Sequence, residues 1–445
     1  MNWSGLPPDL DSWAHMLLYL FATVIVLICV YTARHYCFTV NRVLGKQRHP
    51  YIDIDTADWP AVTVLIAAHN EEAVIADAMQ ALLDVDYPEG KLRIVPVNDR
   101  SSDRTREIID NFTERHPGRI FPFHRSSGKP GKAAALKDAM QFVGSEVFLV
   151  FDADYIPGRA LVRELVAAFF DPEVGSVMGR VVPLNVGRGL LTRLLDLERS
   201  GGYQVDQQAR MNLRLVPQYG GTVAGVRKAA LQEIGGWNIN TLAEDTDLTF
   251  RLLLAGWKTV YMNRAECYEE VPERWPVRVR QIMRWAKGHN QAMFQYGIKL
   301  LRRKGVNLIE RLDGLLLLGV YAMGPVLLLG WLLAVVLFYS GAQIGGGVAI
   351  LALAAFTTLG NFAAFYEIAA AVRLDGSRLR IRLLPLTLFG FTVSVVSVSR
   401  AAWEQLATAV FGKELVWHKT ERTRMAPAAL AHAPLAAGQP EAKTI

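Results

Sequence analysis

Cysteine is scarce in this sequence, and Cys29, Cys37 and Cys267 stand at spacings that suit neither a disulfide framework nor a zinc knuckle. A domain stapled by disulfides or built on structural zinc is therefore excluded. A strong excess of one charge is also lacking, because 48 Lys and Arg stand against 42 Asp and Glu. The surplus gathers beside apolar runs rather than along a stripe that could follow a nucleic acid, so no nucleic-acid partner is expected. A P-loop is missing as well. SSGKPGKAAALKDAM has Ser126 where that loop needs its first glycine and Ala133 where it needs Ser or Thr. No cleavable leader is legible either: Asp9 and Asp11 precede the first apolar run, and no small-residue cleavage pattern follows it.

Apolar segments are what the chain has in quantity. Of its 445 residues 51% are hydrophobic, and the mean hydropathy is +0.18, which points to several membrane helices rather than one large core. Between Asp11 and Arg34 no residue carries a formal charge, and LLYLFATVIVLICVY suffices for one span of a ~30 Å hydrocarbon core at ~1.5 Å per residue. Arg34, Arg42, Lys46 and Arg48 follow it, so the positive-inside rule places the N-terminus outside and the next residues in the cytoplasm. A second uncharged run extends from Gly314 to Tyr366 and is divided by GAQIGGG into an outward and a return span. RLDGSRLRIR, residues 373–382, is then cytoplasmic. Beyond Leu383 the apolar pattern is interrupted by Arg400 and Glu404, and both a clean crossing and a re-entrant hairpin over 383–411 stay open. The Ala/Pro-rich end from about Arg424 has no periodicity and reads as a disordered tail.

Residues from about 60 to 270 alternate strand and helix patterns: VTVLIAA, EEAVIADAMQALL, LRIVPVND and TREIIDNFTERH. This is the grammar of a parallel α/β domain, whose ligands collect at the carboxyl ends of strands. LRIVPVND ends in Asp99 and FLVFDAD ends in Asp152 and Asp154. Two acids one residue apart, on a strand that is breaking up, can face one hard divalent cation bridging two phosphates. The same pair would also serve simply to cap the turn before Pro157. The glycine-lysine turn before AAALKDAM offers backbone amides and Lys132 to a phosphate, or is a plain helix start. TLAEDTDLTFR begins a helix with Glu244, Asp245 and Asp247 in its first turn, where acids are commonplace because the macrodipole favours them. In QIMRW, Gln281, Arg284 and Trp285 share one helical face and present an amide, a guanidinium and a flat ring together. Taken alone, a Trp and an Arg beside a membrane would be interfacial anchors.

In this order the motifs resemble the membrane-embedded family 2 glycosyltransferases that make polysaccharides such as cellulose, hyaluronan, mannan and poly-N-acetylglucosamine. VLIAAHNEE resembles that family's nucleotide-binding turn, VNDRSSDRT its first aspartate motif, FDAD its DxD, AEDTDL its acidic base motif and QIMRW its QxxRW; GGTVAGVRKAALQEIGGW and GWKTVY are also typical. The resemblance covers about 60–290, with flanking spans in the same arrangement. It implies an α/β fold of the GT-A, Rossmann-like type combined with transmembrane α-helices, and inverting transfer from a nucleotide-diphosphate sugar, by family habit a uridine one, with Mg2+ or Mn2+. Carried over, Asp245 is the general base, Asp154 a metal ligand, Asp152 a contact to the donor's ribose or diphosphate, and Asp99 a contact to the nucleotide base. Ala67, His69 and Glu71 border the nucleotide pocket, Lys132 and Glu244 the donor, and Gln281, Arg284 and Trp285 the diphosphate and the acceptor sugar. Ala67 and His69 replace the family's common Pro and Tyr, and Asn98 a common Asp. WHKTER, 417–422, loosely resembles the family's gating loop.

The implied organisation is a transmembrane helix at 1–40, a cytoplasmic catalytic domain at 41–270, interfacial helices at 271–313, a membrane region at 314–412, a gating motif at 413–423 and a tail at 424–445. A bacterial inner (plasma) membrane suits it. The product is a growing β-linked polysaccharide, with export across the membrane and accessory export subunits as partners. The alternative is transfer of one or a few sugars to a lipid acceptor such as a polyprenyl phosphate or glycolipid, and a catalytically inactive membrane scaffold is disfavoured by the intact acids. Membrane lipids are partners in every case.

Overall fold

The computed structural model describes residues 8–49, 58–341, 344–356 and 358–411. WHKTER and the Ala/Pro-rich end lie outside the described residues. In chain order the elements are α1 (Pro8–Leu44), β1 (Val62–Ala68), α2 (Ile75–Leu83), β2 (Leu92–Asp99), α3 (Thr105–Arg115), β3 (Phe123–Arg125), α4 (Lys132–Ala139), β4 (Val147–Asp152), β5 (Ile156–Pro157) and α5 (Leu161–Ala167). They continue with β6 (Val174–Pro183), α6 (Leu190–Ser200), a π-helical segment (Gly201–Gln207), α7 (Gln208–Asn212), β7 (Ala224–Arg227), α8 (Lys228–Glu233), α9 (Glu244–Ala255) and β8 (Lys258–Glu269). The C-terminal part comprises α10 (Trp275–Arg302), α11 (Leu308–Leu318), α12 (Met323–Tyr339), α13 (Gly346–Phe356), α14 (Thr358–Leu374) and α15 (Thr387–Phe411).

The described strands form one sheet in the order β3-β2-β1-β4-β7-β6-β8-β5. From β3 to β4 it is parallel, as the strand and helix alternation predicts. Beyond β4 it is mixed, because β7 pairs antiparallel with both β4 and β6. That departure from an all-parallel sheet has a local cause: β7 is only AGVR and is entered from the GGT turn, not from a crossover helix. β1 and β4 are nearly continuous apolar runs, as strands covered on both faces must be. Their alternation splits the core in two. Val62, Val64 and Ile66 pack with Met79, Leu82 and Ile109, while Leu65, Phe148 and Val150 pack on the other face with Leu136 and Trp237. Each fully buried Val, Leu or Ile of this kind contributes about 1.5–3 kcal/mol. The sheet order reverses direction at β1, so the carboxyl ends of β1, β2 and β4 border one crevice.

Among the described residues, Trp13–Leu44, Val320–Tyr339 and Leu379–Val410 are long and apolar enough to cross a membrane. α1 packs with α12 and α13 through Phe21, Val24, Ile25 and Ile28 against Leu333, Leu337 and Ala355. A buried ion cluster ties these helices to the sheet domain: Arg34 Nε donates to Asp313 (2.9 Å) and its Nη2 to Asp206 (3.3 Å), while Arg210 donates to both acids. Asp375, between α14 and α15, accepts from Arg180 (2.6 Å), Gln204 (2.6 Å) and Ser200, so the basic segment 373–382 lies against the catalytic domain. α15 runs beside α10 in the same direction, from the Trp275 and Phe389 rings (5.1 Å apart) to the Asn290–Gln405 hydrogen bond (2.8 Å). Its outer face leaves Leu388, Val396, Trp403, Leu406 and Val410 exposed.

Candidate active site

The crevice is floored by the ends of β1, β2 and β4. Ala67 lies on β1 between Val97 and Asp152, and the chain then leaves the sheet through Asn70, whose positive φ of 55° matches that of Arg100 (56°) after β2. Residues with side chains adopt this left-handed conformation rarely, and such strain collects at functional sites. His69 Nδ1 lies 2.7 Å from the Asp99 carbonyl, and Glu71 is buried with its backbone N–H donating to Thr105 at the head of α3 (2.8 Å). Asp99 is itself buried. Its Oδ1 accepts from Arg125 (2.6 Å) and Arg100 (3.1 Å), and its Oδ2 from the Gly131 N–H (2.9 Å). Asp99 thus anchors the SSGKPGK turn, and an amide expected to serve a phosphate is spent on this carboxylate.

Lys132 also lands elsewhere than a simple phosphate loop would put it. Its Nζ donates to Asp152 Oδ1 (2.6 Å) and to the Gly221 carbonyl (2.7 Å), and lies 3.8 Å from Glu244. Burial works against this ammonium, yet Asp152 and Glu244 outweigh it and raise its pKa. Asp152 is fixed from behind by its own N–H on Thr222 (3.1 Å). Asp154, two residues on, is buried in the turn that leads to β5. Among the described residues no group of three or more His, Cys, Asp or Glu is arranged to hold a metal ion. Asp152 and Asp154 are hard oxygen donors at one strand end, and this small set fits a Mg2+ or Mn2+ ion whose remaining ligands arrive as diphosphate and water oxygens.

α9 brings the second wall. Glu244 and Asp245 open it and face the crevice, whereas Asp247, two residues on and so about 200° round the helix, turns inward. There it accepts from Asn238 (2.9 Å), Arg251 (2.6 Å) and Tyr296 (2.5 Å), which makes it a structural acid. Asp245 Oδ1 accepts from the Thr246 N–H (2.7 Å), and among the described residues no side chain donates to its Oδ2. Burial raises the Asp245 pKa, opposed by the Thr246 N–H, Lys132 and Arg284; burial and Asp245 raise that of Glu244, opposed by Lys132.

The QIMRW face of α10 closes the site from the side of the apolar helices. Among the described residues Arg284 has a buried Nε without a hydrogen-bond partner, and it exerts its charge on Asp245, so a donor group stands ready for an anion. The guanidinium groups of Arg199 (5.3 Å) and Arg278 (5.1 Å) lie over the Trp285 ring. Gln281 serves this arrangement by accepting from Arg278 (2.9 Å), and Arg199 is held by Glu269 (2.7 Å), which also accepts from Tyr155. Arg199, Arg278, Tyr155 and Glu269 were not singled out by sequence reasoning. Arg278 had a signal, standing one helical turn before Arg284's motif; the others come from α6, β8 and the turn after β4, which only the fold brings together.

The fold agrees with what comparison finds. A family model described as Glycosyltransferase like family 2 matches residues 60–288. This chain belongs to the family 2 glycosyltransferases. Along 397 residues it is 30% identical to the probable glycosyltransferase YdaM of Bacillus subtilis (strain 168), covering 87% of this chain and 92% of that protein. It is 31% identical over 244 residues to a beta-monoglucosyldiacylglycerol synthase of Synechocystis sp., covering 55% of this chain and 51% of that one. The solved structure of the mannosyltransferase PcManGT from Pyrobaculum calidifontis, in complex with GDP-Man and Mn2+, shares the fold at a TM-score of 0.56 and 22% identity, over 81% of this chain and 98% of that one. The protein is accordingly a glycosyltransferase of GT-A-like fold that uses a nucleotide sugar, and its apolar helices associate it with membranes.

Proposed function

We propose that this glycosyltransferase extends a β-linked polysaccharide by inverting transfer and passes it toward the membrane helices. The observation that carries the reading is the convergence of Asp245, Arg284 and the arginine-flanked Trp285 on the crevice beside Asp152 and Lys132, at the junction with the membrane helices. In the proposed step the acceptor hydroxyl attacks the anomeric carbon as Asp245 Oδ2 takes its proton, and the bond to the diphosphate oxygen breaks on the opposite face. An α-linked donor then gives a β-linked product. Arg284 and Lys132 face the negative charge that builds on the leaving diphosphate. Asp154, with Asp152, would hold the cation, which when bound supplies Lewis-acid neutralisation of that diphosphate. Asp99, His69, Ala67 and Glu71 shape the nucleotide end, and Trp285 offers its ring to the acceptor sugar.

We further propose that α1 crosses the membrane, that α12 crosses it outward with α13 and α14 returning, and that α15 lies along the membrane surface. Its parallel course beside the charged α10 supports this arrangement.

A second reading, transfer to a lipid acceptor, is favoured by the Synechocystis relative, a beta-monoglucosyldiacylglycerol synthase. A crevice lined by Leu194, Leu195, Trp275, Ile282 and Phe391 leads toward Arg278, but its ≈ 20 Å³ admits about one water, so an acyl chain would have to spread α6 from α15. The test is to supply a labelled donor to the protein in nanodiscs and separate products by organic extraction. Polymer that stays aqueous and yields to a β-glycosidase supports the first reading; label that moves wholly into the organic phase as a single-sugar lipid overturns it.

A further inference from the structure

His289 lies on α10, one turn beyond Trp285, and is buried. Its Nδ1 stands 3.3 Å from the Trp285 carbonyl, an acceptor only, so the proton of a neutral imidazole sits on Nδ1 and Nε2 keeps its lone pair. Burial keeps the ring neutral by lowering its pKa to about 4, against the smaller upward pull of that carbonyl. Gln218 Nε2 donates across 3.1 Å to the imidazole Nε2, and its second hydrogen reaches Thr246 Oγ1 at 3.2 Å. The Thr246 hydroxyl, its lone pair so engaged, lies 3.4 Å from Asp245 Oδ1, which also holds the Thr246 N–H. Gln218 is fixed on its other side, where its N–H donates to Gln207 Oε1 and Gln207 Nε2 donates back to its carbonyl, both at 3.0 Å. Of the two Gln218 amide hydrogens one thus goes to the imidazole and one to the Thr246 hydroxyl, and that hydroxyl also stands 3.3 Å from His289 Nε2, so the ring bears on Thr246 both directly and through Gln218. The Tyr321 ring, at the start of the span Val320–Tyr339, packs edgewise on the imidazole at 4.7 Å and holds it in place.

We propose that His289 is a positioning residue for Asp245, acting through Gln218 and Thr246 to pin Oδ1 and leave Oδ2 aimed at the acceptor hydroxyl. The inference rests on the reading of Asp245 as general base. Replacing the imidazole by an apolar group frees the Gln218 amide to turn, and the carboxylate loses its orientation rather than its charge.

The test compares His289→Leu, His289→Gln, Thr246→Val and Asp245→Asn, each full-length in nanodiscs, by kcat, donor KM, nucleotide affinity from calorimetry and Tm. His289→Leu is expected to lower kcat about tenfold to a hundredfold, the cost of misplacing a catalytic group by up to ~1 Å, with donor KM and nucleotide affinity unchanged. His289→Gln, whose carbonyl can stand in for Nε2, restores most of that loss. Thr246→Val lowers kcat in the same way even should His289→Leu fail to fold, and the double variant is no slower than the worse single one. Wild-type kcat in His289→Leu and Thr246→Val overturns the proposal, as does a loss of kcat that follows nucleotide affinity and Tm downward with no rescue by Gln. Should Asp245→Asn itself retain turnover, the base reading fails and the positioning role falls with it. Should Asp245→Asn be inactive while His289→Leu is normal, the positioning role alone fails.

Discussion

Gly288 lets the two walls of the site meet. It lies on α10, one turn past Arg284, and a Cβ built there would stand 2.4 Å from Ala243 Cβ, 3.0 Å from Ala243 N and 3.2 Å from Ala243 Cα. Ala243 immediately precedes Glu244 and Asp245, and its backbone cannot swing aside as a flexible side chain would. Restoring ordinary contact at 3.4–4 Å requires α10 and the start of α9 to separate by about 1–1.5 Å. Gly288→Ala therefore moves Arg284 and Trp285 away from Asp245 by roughly that distance. A misplacement of ~1 Å costs about a hundredfold in rate, and overpacking of this kind costs about 1–3 kcal/mol, offset by up to ~1 kcal/mol of helix propensity. The control is Gly297→Ala on the same helix, where the added carbon meets only Leu315 Cδ2 at 3.7 Å. Steady-state nucleotide release and Tm in nanodiscs should show Gly288→Ala about a hundredfold slower and slightly less stable, and Gly297→Ala as active as wild type and no less stable. A Gly288→Ala protein with wild-type kcat would refute the close approach of α10 to α9 as the feature that sets the geometry.

Acidification should remove activity at a higher pH than an ordinary aspartate would, because burial raises the Asp245 pKa and the proton acceptor must be ionised; a kcat profile with its acid limb near pH 4 or below would contradict this. For Glu244 and Asp245 the native state binds protons more tightly than the unfolded chain, so both acids lower stability as pH rises from the usual carboxylate range through their raised pKa values, which urea titrations at several pH values can check. Lys132→Met should raise donor KM and slow transfer, since it leaves Asp152 without its 2.6 Å partner and the diphosphate without a facing cation; unchanged kinetics would count against that role. Asp375→Ala takes the shared acceptor from Arg180, Gln204 and Ser200 and leaves Arg180 to Glu266, so Tm should fall clearly, whereas Lys258→Met, which removes an exposed pair, should cost less than about 1 kcal/mol. Chelation with EDTA should stop turnover and added Mn2+ or Mg2+ restore it, given the small carboxylate set of Asp152 and Asp154.

Much of the fold was legible in the sequence because β1 and β4 are nearly continuous apolar runs and β2 and β4 end in Asp99 and Asp152 at the crevice. The antiparallel insertion of β7 was not, since AGVR is too short to show a period and its partners are fixed only by tertiary pairing. The acids of the site could be read from their places at strand and helix ends. Their partners could not: Lys132 on Asp152, Arg199 beside Trp285 and His289 behind Thr246 are contacts between elements far apart in the chain. Asp247 shows the limit from the other side, since it stands beside Asp245 in the sequence yet points into the core. The split of the 314–366 run by GAQIGGG placed the break between α12 and α13, but the course of α15 beside α10 required the packing of Ala286 on Val398 and Ala401, which no hydropathy window contains.

The most direct measurement is nucleotide release by the purified protein in nanodiscs with a panel of UDP- and GDP-sugars and Mn2+ or Mg2+, with Asp245→Asn alongside and donor binding followed by calorimetry. The account predicts turnover with one donor sugar, accumulation of long β-linked product, and an Asp245→Asn protein that binds the same donor but turns over about 10²–10⁴-fold more slowly. An Asp245→Asn protein as fast as wild type would contradict it.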